Sequence, residues 1–373
     1  MPDSQPLLTI AIPTYNRCRF LAELLTNLEP QLAGEDRVEL IVSDNASPDA
    51  TARTIESFQA QGMRIRHLTN SENVGPDENF FRCFRAALGK YVWIFGDDDL
   101  LMQGAVQQIL SLLEQGEVSG DFDLVYLSSF GFTGEYHTPK DTVLKDKLGR
   151  FAEIVTDGLY FVEKVNSLIV TISANIVNKN RLAMTPHPPF EYLASTNLSQ
   201  LGWLLPLIHS RCRVLYIWER LLAYRSLNSG GWNFWEVFGL RFRKIILEYF
   251  VEEPLLAKAI IGGVLRYYMT GNIIEMRKTP LGESHSKLFL QTMKPAFQRE
   301  WRFWFFVYPL VALPMPLADF LYRFIYISNR LTRAVQAIFR HVFSHGQYVN
   351  PAVTPALPLQ VLISPIGAGG KER

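Results

Sequence analysis

The chain of 373 residues has little of several features that would assign a protein to a class at once. Its cysteines, Cys18, Cys83 and Cys212, are too few and too far apart for a disulfide framework or a zinc knuckle, which suits a reducing compartment. Lysine and arginine (37) nearly balance aspartate and glutamate (36), so the chain is not a global polycation of the kind that tracks nucleic acid. The N-terminal residues lack the basic and apolar regions of a secretory signal. We therefore expect a cytoplasmic protein, in the cytosol or on the inner face of the cytoplasmic membrane.

Two common nucleotide-binding motifs are also missing. No G-x-x-x-x-G-K-[ST] sequence occurs, and no G-x-G-x-x-G follows a predicted strand. A nucleotide that binds here is therefore held in another way.

The longest apolar run near the C-terminus, Phe303–Ala318, is about a turn short of a comfortable membrane span and contains three prolines.

What is present is a regular alternation of strand and helix patterns in the first third of the chain. An apolar content of 48% is ample for a folded core. The alternation predicts an α/β fold with a mostly parallel sheet flanked by helices. The predicted strands are Leu7–Ile12, Val38–Val42, Ile65–Leu68, Val92–Phe95 and Leu124–Leu127, and the predicted helices are Arg17–Gln31, Asp49–Gln59, Asp77–Leu88 and Gln103–Leu113.

The pattern divides the chain into three parts. We predict a catalytic domain over residues 1–235, whose last hundred residues are mixed in pattern. A helical, aromatic-rich region follows over residues 236–349, for membrane association or oligomerisation. Residues 350–373 are rich in proline and glycine and are predicted to be a disordered tail.

The most informative motif is an apolar run, Tyr91–Gly96, that ends in three acids, Asp97, Asp98 and Asp99. A strand this apolar is expected to be buried on both faces, and ligands of open α/β sheets bind beyond the carboxyl ends of the strands. Adjacent carboxylates repel one another unless a positive charge lies between them. A hard divalent cation bound to carboxylate oxygens, with its other positions open to phosphate, meets that need. A solvated acidic turn is the structural alternative.

Polar turns follow the other predicted strands. The first holds Pro13, Thr14, Tyr15 and Asn16, which either form a purely structural turn or present N–H groups and a flat ring to a ligand. The second begins with Asp44, an acceptor for the N–H of a pyrimidine base. The remaining candidates are amides that brace these loops or touch the base: Asn45, Asn73 and Asn79.

Taken in order, these turns resemble those of family 2 glycosyltransferases of the GT-A fold, with P-x-Y-N, D-N-x-S-x-D, N-x-G and an acidic triplet. The resemblance is close over about residues 7–105 and loose to about residue 235. The sequence Trp93–Leu101, with the later Thr196–Trp203, looks like the abequosyltransferase-type branch, which adds dideoxyhexoses or related sugars to lipid-linked O-antigen units.

The resemblance implies an inverting, metal-dependent transfer of a sugar from a nucleotide-diphosphate donor to a saccharide acceptor. The expected acceptor is a lipid-linked unit in the biosynthesis of bacterial surface polysaccharide of the O-antigen type. Pro13, Tyr15 and Asp44 would line the base pocket, and Asp97 would reach the ribose or the metal shell. Asp98 or Asp99 would bind Mg²⁺ or Mn²⁺ at the donor diphosphate, where the cation neutralises the charge of the leaving group.

Two further site residues lie downstream. Many family 2 enzymes carry an acidic pair well after the acidic motif, and the matching window here has one carboxylate, Glu191, which we name as the candidate base. A surface or capping role is the alternative. Arg225 precedes a glycine-containing loop and is a candidate partner of the diphosphate, or part of a plain linker.

The composition of the C-terminal third indicates that this part of the chain associates with a membrane surface. Residues 298–344 contain six arginines, two acids and twelve aromatic residues, a composition that suits a segment in the membrane interface near anionic headgroups. A helical bundle that packs on the catalytic domain or in a homo-oligomer is the alternative.

Two other functions stay open from the sequence. A nucleotidyl- or phosphotransferase would use the same acids, but needs further metal ligands and a basic residue at the phosphates. A non-catalytic, membrane-associated assembly protein would retain the fold without turnover.

Overall fold

A mixed sheet forms the centre of the protein. The computed structural model describes residues 5–137, 150–186, 190–226, 235–279, 282–343, 347–349 and 351. The strands within them are β1 (Leu8–Thr14), β2 (Val38–Asp44), β3 (Ile65–Thr69), β4 (Tyr91–Ile94), β5 (Leu100–Leu101), β6 (Leu124–Phe132), β7 (Ala152–Val155), β8 (Asn175–Asn178), β9 (Val214–Arg225) and β10 (Gln347–Val349). Their order is β10-β7-β9-β6-β8-β4-β1-β2-β3, with β5 paired to β9.

Helices cover the sheet and form the C-terminal part. Their bounds are α1 (Cys18–Leu32), α2 (Thr51–Ala60), α3 (Pro76–Ala86), α4 (Ala105–Ser119), α5 (Gly158–Val165), α6 (Lys179–Met184), α7 (Leu201–Leu204), α8 (Phe242–Tyr249), α9 (Pro254–Gly263), α10 (Met269–Arg277), α11 (Gly282–Phe297), α12 (Tyr308–Ala312) and α13 (Met315–Phe343). The predicted α/β fold is confirmed, and the strands and helices predicted up to Leu127 are all present. Most ends shift by one or two residues, but β6 and α4 extend five and six residues beyond their predicted ends.

The half of the sheet that carries the predicted site is parallel. β1 pairs in parallel with β2 and with β4, and β2 pairs with β3. Every residue of β1 is buried, as expected for a strand that is covered on both faces. Helix α1 buries Leu21, Leu24, Leu25 and Leu28, a spacing that places four leucines on one face.

The second half of the sheet was not predicted in detail. β9 is twelve residues long and pairs in parallel with β6 and antiparallel with β7. Because β9 ends at Arg225, it brings that residue back to the carboxyl edge. Its apolar residues do not alternate with polar ones, since Val214–Ile217 and Leu221–Ala223 are two continuous buried runs, and periodicity gives no clear signal.

The region after residue 235 is helical in the described residues, as predicted. It packs against the first part of the chain through α9 and α5. At this contact a side chain on Gly263 would meet the Cβ of Asn166 at 2.4 Å, so the close approach requires glycine. The short strand β10 then returns to pair with β7. The domain boundaries stay a prediction, and the predicted tail after residue 351 lies outside the described residues.

The apolar run Phe303–Ala318 does not form one helix, because it is divided among a π-helical turn (Phe303–Val307), α12 and the start of α13. In the described part of the chain, no helix is both long enough and apolar enough to cross a bilayer.

Candidate active site

The carboxyl ends of β1, β2 and β4 meet at one edge of the sheet. Thr14 lies beside Asp44 in the register of β1 and β2. The acidic residues follow β4, and the Thr14 hydroxyl donates a hydrogen bond of 2.8 Å to Oδ2 of Asp97. The turns that the sequence predicted to act together therefore share this edge, which is where ligands bind in open α/β folds.

The acidic loop is built around Gly96. Its N–H donates to Oγ of Ser173 over 2.8 Å. A Cβ added at this glycine would meet Oδ2 of Asp99 at 3.1 Å, Oγ of Ser173 at 3.2 Å and Oδ1 of Asp98 at 3.4 Å. Oxygen atoms of three side chains thus converge on a space that glycine keeps open.

Arg17 pairs with two of the three acids. This residue precedes α1, and its guanidinium lies 2.7 Å from Oδ2 of Asp98 and 3.3 Å from Oδ1 of Asp97. The side chain of Arg17 is 30% exposed and that of Asp97 is 5% exposed. An ion pair that is this far removed from water is stronger than one on the surface.

Arg225 supports the loop from the other side. Its backbone N–H donates to Oδ1 of Asp99 over 2.9 Å, and its Nε donates to the carbonyl of Asp98 over 3.2 Å. The guanidinium also pairs with Glu23 at 2.5 Å and is only 8% exposed. The structure therefore gives Arg225 a bracing role; its predicted contact with the diphosphate stays a prediction.

Burial raises the pKa of two of the acids. Loss of hydration raises the pKa of Asp97 to about 7, against the lowering effect of Arg17. Loss of hydration, reinforced by the nearby charge of Asp98, raises the pKa of Asp99 to about 7. Carboxyl groups with raised pKa values in a polar cleft are typical of functional sites.

The first turn presents one ring to solvent. Pro13 and Thr14 are buried, while Tyr15 is 40% exposed. Asn16 adopts a φ of 54° and donates its N–H to Oγ of Ser47 over 2.8 Å. The turn thus holds its backbone in a fixed shape and leaves the Tyr15 ring available to a ligand.

The amides predicted near the base form a bracing network. Asn45 donates to Oδ1 of Asn73 over 2.8 Å and accepts from the N–H of Val74 over 3.0 Å. Asn79 accepts the Ser43 hydroxyl over 2.7 Å. These bonds join the ends of β2 and β3 to the start of α3. Of the two roles that the sequence left open for Asn73 and Asn79, the structure supports bracing.

Asp44 is buried at 2% exposure and accepts the N–H of Ser47 over 3.0 Å. It therefore shapes the second turn, beside Thr14 of β1. The contact with a base that was predicted for Asp44 stays a prediction.

Glu191 is not brought to the acidic loop. Its carboxylate pairs with Arg85, in the last turn of α3, and is 60% exposed. Helix α3 carries the chain from the carboxyl edge back toward the start of β4, so its last turn lies away from Asp97. The role of Glu191 as the base stays a prediction, and the geometry does not support it.

Three site residues were missed from the sequence: Arg17, Ser173 and Asp77. Arg17 directly follows the Pro13–Asn16 turn, so its position was a usable signal. Ser173 lies in a stretch without periodicity, and only the fold brings it to Gly96. Asp77 is buried at 6% exposure and accepts the N–H of Asn197 over 3.1 Å, which joins the Thr196–Trp203 segment to the site edge.

Comparison with known proteins agrees with this geometry. The family described as glycosyl transferase family 2 matches residues 9–167. Abequosyltransferase RfbV of Salmonella typhimurium is 38% identical over 109 residues, which are 29% of this chain and 33% of the relative. A GalNAc(5)-diNAcBac-PP-undecaprenol beta-1,3-glucosyltransferase of Campylobacter jejuni is 30% identical over 112 residues, 30% of this chain and 36% of the relative. The chain thus spans about one third of the length of these relatives.

Solved structures extend the likeness across the fold. S. aureus TarS, residues 1–349, aligns with a TM-score of 0.53 at 17% identity and covers 87% of this chain and 91% of that chain. The same protein in complex with UDP-GlcNAc aligns with a TM-score of 0.51 at 18% identity, over 87% and 92% of the two chains. At this identity the likeness shows the GT-A fold.

Proposed function

We propose that the protein, whose residues 9–167 match the family described as glycosyl transferase family 2, transfers a sugar from a nucleoside-diphosphate donor to a lipid-linked saccharide. The transfer proceeds with inversion, in the assembly of a bacterial surface polysaccharide of the O-antigen type. One observation carries the proposal: Asp97, Asp98 and Arg17 meet at the carboxyl edge where a ligand of this fold binds.

The donor would lie across the ends of β1, β2 and β4. Tyr15 offers an exposed ring for stacking on a base, and Asp44 lies beside it at the end of β2. Arg17 lies where the diphosphate would follow, with a guanidinium suited to phosphate oxygens. The TarS structure named for its UDP-GlcNAc complex supports a nucleotide-sugar donor, and leaves the choice of base to experiment.

The acidic loop fits a hard divalent cation. The space over Gly96 is bounded by oxygens of Asp98, Asp99 and Ser173, the donor type that Mg²⁺ and Mn²⁺ prefer. In the described residues, there is no group of three or more Asp, Glu, His or Cys side chains that could hold a metal ion. Mg²⁺ is commonly held by one or two carboxylates, with phosphate and water completing its shell. Asp98 and Asp99 would hold the ion, which when bound neutralises charge on the leaving diphosphate.

The protein's own residues align the donor and acceptor for displacement. Arg17 stabilises negative charge that develops on the diphosphate as the sugar–phosphate bond breaks. The sugar passes through an oxocarbenium-like state, and inversion requires an acceptor hydroxyl on the opposite face. Asp77 accepts the N–H of Asn197 and so holds that segment at this edge, where it would border the acceptor.

An exposed apolar stripe on α13 supports a lipid-linked acceptor at a membrane surface. The stripe consists of Leu317, Phe320, Phe324, Ile327 and Leu331, with exposures of 55%, 72%, 66%, 56% and 62%. Spacings of three and four residues place all five on one helix face. Arg323 and Arg330 flank this face, as in helices that lie in a membrane interface. The Campylobacter relative is named for a saccharide on a diphosphate-linked polyprenol, which agrees with such an acceptor.

A binding screen tests the donor site directly. UDP, CDP, GDP and dTDP are titrated by calorimetry, each with and without Mn²⁺. We expect one diphosphate to bind in the presence of the metal, which would also identify the nucleotide. Failure of all four with folded protein would overturn the transferase proposal and favour an assembly protein. Tight binding without any effect of Mn²⁺ would overturn the metal assignment alone.

A further inference from the structure

A cavity of about 230 Å³ lies between residues 166–168 and the C-terminal helices, outside the acidic site. Tyr267 and Tyr268 line it from the turn between α9 and α10, and Tyr322 and Tyr326 line it from α13. We infer that this cavity, the tyrosine cleft, is a subsite for a saccharide unit of the acceptor. The inference rests on the proposed function and adds where the acceptor is held.

The chemistry of the cleft suits a neutral sugar. Its lining contains six hydroxyl-bearing side chains and no carboxylate, with Arg330 as its one cation among the lining residues. Tyrosine combines an apolar ring face, on which the C–H face of a sugar packs, with a polar hydroxyl. The volume exceeds the ~30 Å³ of one water and falls below the ~300 Å³ of a site for a drug-sized ligand. A single sugar ring matches this size.

Asn166 gives the cleft a polar group in need of a partner. It is 3% exposed, and its Nδ2 has no hydrogen-bond partner within the described structure. A buried unpaired donor costs about 1–3 kcal/mol, and Asn166 is one of the residues that line the cleft. Its φ of 43° is also rare for a residue other than glycine. Such strain is commonly retained at binding sites.

The opposite wall is held in place by its own contacts. Val264–Tyr268 forms a π-helical turn within an otherwise α-helical stretch, a distortion found frequently at functional sites. Arg266 in this turn donates to Oδ1 of Asn329 over 2.6 Å, which ties the turn to α13. The two tyrosine pairs are therefore presented at a fixed separation.

A short segment of the chain links the cleft to the acidic site. The segment that starts at Asn166 reaches Ser173, the partner of Gly96, in seven residues. At ~2 Å per residue in 3₁₀ geometry, this is roughly 14 Å. Tyr268 also lies near enough to Tyr224 to interact with it electrostatically, and Tyr224 adjoins Arg225 under the acidic loop. A sugar in the cleft would belong to the same acceptor as the reacting hydroxyl, a short distance along the saccharide.

The cleft also adjoins the apolar stripe around the circumference of α13. At about 100° per residue, Tyr322 and Tyr326 lie on the cleft side. Arg330 and Arg323, which pairs with Asp319 over 2.8 Å, come next, and Phe324 belongs to the stripe beyond them. This order, from hydroxyl to guanidinium to apolar side chain, matches the order of saccharide, phosphate and lipid in a lipid-linked acceptor. An unlinked soluble sugar would not account for it.

Saturation-transfer NMR with methyl glycosides of galactose, mannose, rhamnose and N-acetylglucosamine tests the cleft. We expect at least one glycoside to bind the full chain, and Tyr326→Ala to weaken that binding about tenfold, the scale of one or two lost contacts. Asn166→Gly, which suits the positive φ, serves as a second variant and should weaken binding similarly. Tyr192→Ala, an exposed tyrosine elsewhere (54% exposed), is the matched control and should bind as the parent does.

Donor binding separates the two possible failures. Diphosphate binding with Mn²⁺ should be the same in Tyr326→Ala and in the parent chain. If the diphosphate binds but no glycoside does, or if both cleft variants bind glycosides as the parent does, the cleft is not an acceptor subsite. If no diphosphate binds the parent chain, the proposed function itself fails.

Discussion

The guanidinium of Arg17 lies 2.7 Å from the carboxylate of Asp98, at a position where the sequence led us to expect a divalent cation. The repulsion between adjacent acids is thus relieved by the protein itself. Arg17 also reaches Asp97, so it holds two acids together. In the proposed mechanism Arg17 and the cation compete for the carboxylate of Asp98, and a bound diphosphate offers the guanidinium a second partner.

Replacement of Arg17 should therefore change the affinity of the protein for the metal. We expect Arg17→Ala to bind Mn²⁺ about tenfold more tightly in the absence of nucleotide, because Asp98 loses a competing cation. In the presence of metal, the same variant should bind the diphosphate more weakly. Calorimetry measures both, and Arg19→Ala, an exposed arginine on α1, is the control. Unchanged Mn²⁺ affinity would contradict the competition.

Asp98→Asn should abolish sugar transfer and leave the fold intact. The amide has the shape of the carboxylate but no charge for the cation, so we expect a loss on the order of a hundredfold or more. Transfer of sugar to an extracted lipid-linked acceptor is the activity to measure, with circular dichroism to verify folding. Asp36→Asn, at a carboxylate that is 84% exposed, should be as active as the parent. Full activity of Asp98→Asn would remove Asp98 from the metal assignment.

The stability of the protein should depend on pH through Asp99. Its pKa is about 7 when folded, against about 3.9 in an unfolded chain, so the folded state binds more protons between these values. Its contribution therefore falls as pH rises, by at most ~1.4 kcal/mol per unit.

Asp99→Asn removes this titration but keeps an acceptor for the N–H of Arg225. We expect the free energy of unfolding of the variant, relative to the parent, to increase between about pH 5.5 and about pH 7.5. Urea denaturation at both pH values measures it. An equal difference at the two values would show that Asp99 is not shifted in the folded protein.

Glu191→Gln should have a small effect on turnover. The carboxylate pairs with Arg85 on an exposed surface, and such pairs contribute about 0–1 kcal/mol. We expect turnover within about threefold of the parent chain. A loss of a hundredfold with normal donor binding would instead restore Glu191 as the base, as the sequence pattern suggested.

Much of the fold was predictable because the first half of the sheet is built from local signals. The strands of this half are short apolar runs separated by amphipathic helices, and α1 shows four leucines on one face. β9 was not predictable in the same way. It contains two continuous buried runs, Val214–Ile217 and Leu221–Ala223, and its partners β6 and β7 are remote in the chain.

The site was predictable to the extent that it follows strand ends. Thr14 ends β1, Asp44 ends β2, and Asp97–Asp99 follow shortly after β4. Parallel strands bring such residues to one edge of the sheet. Ser173 and Asn166 come from an irregular stretch whose place depends on packing against the C-terminal helices. The pairing of Glu191 with Arg85 likewise depends on tertiary contacts, which a sequence window does not contain.

The apolar stripe on α13 should bind anionic membranes. Two of its members, Phe320 and Phe324, are 72% and 66% exposed, and a fully buried Phe contributes about 1.5–3 kcal/mol. We expect Phe320→Glu with Phe324→Glu to weaken binding to vesicles of phosphatidylglycerol and phosphatidylethanolamine by about tenfold or more. Val118→Glu, at a residue of α4 that is 92% exposed, is the control and should bind normally. Sedimentation with vesicles measures the effect, and light scattering without them reports the oligomeric state. If the double variant binds vesicles as well as the parent but dissociates from a dimer, the stripe is covered by a second copy of the chain, and the membrane assignment is wrong.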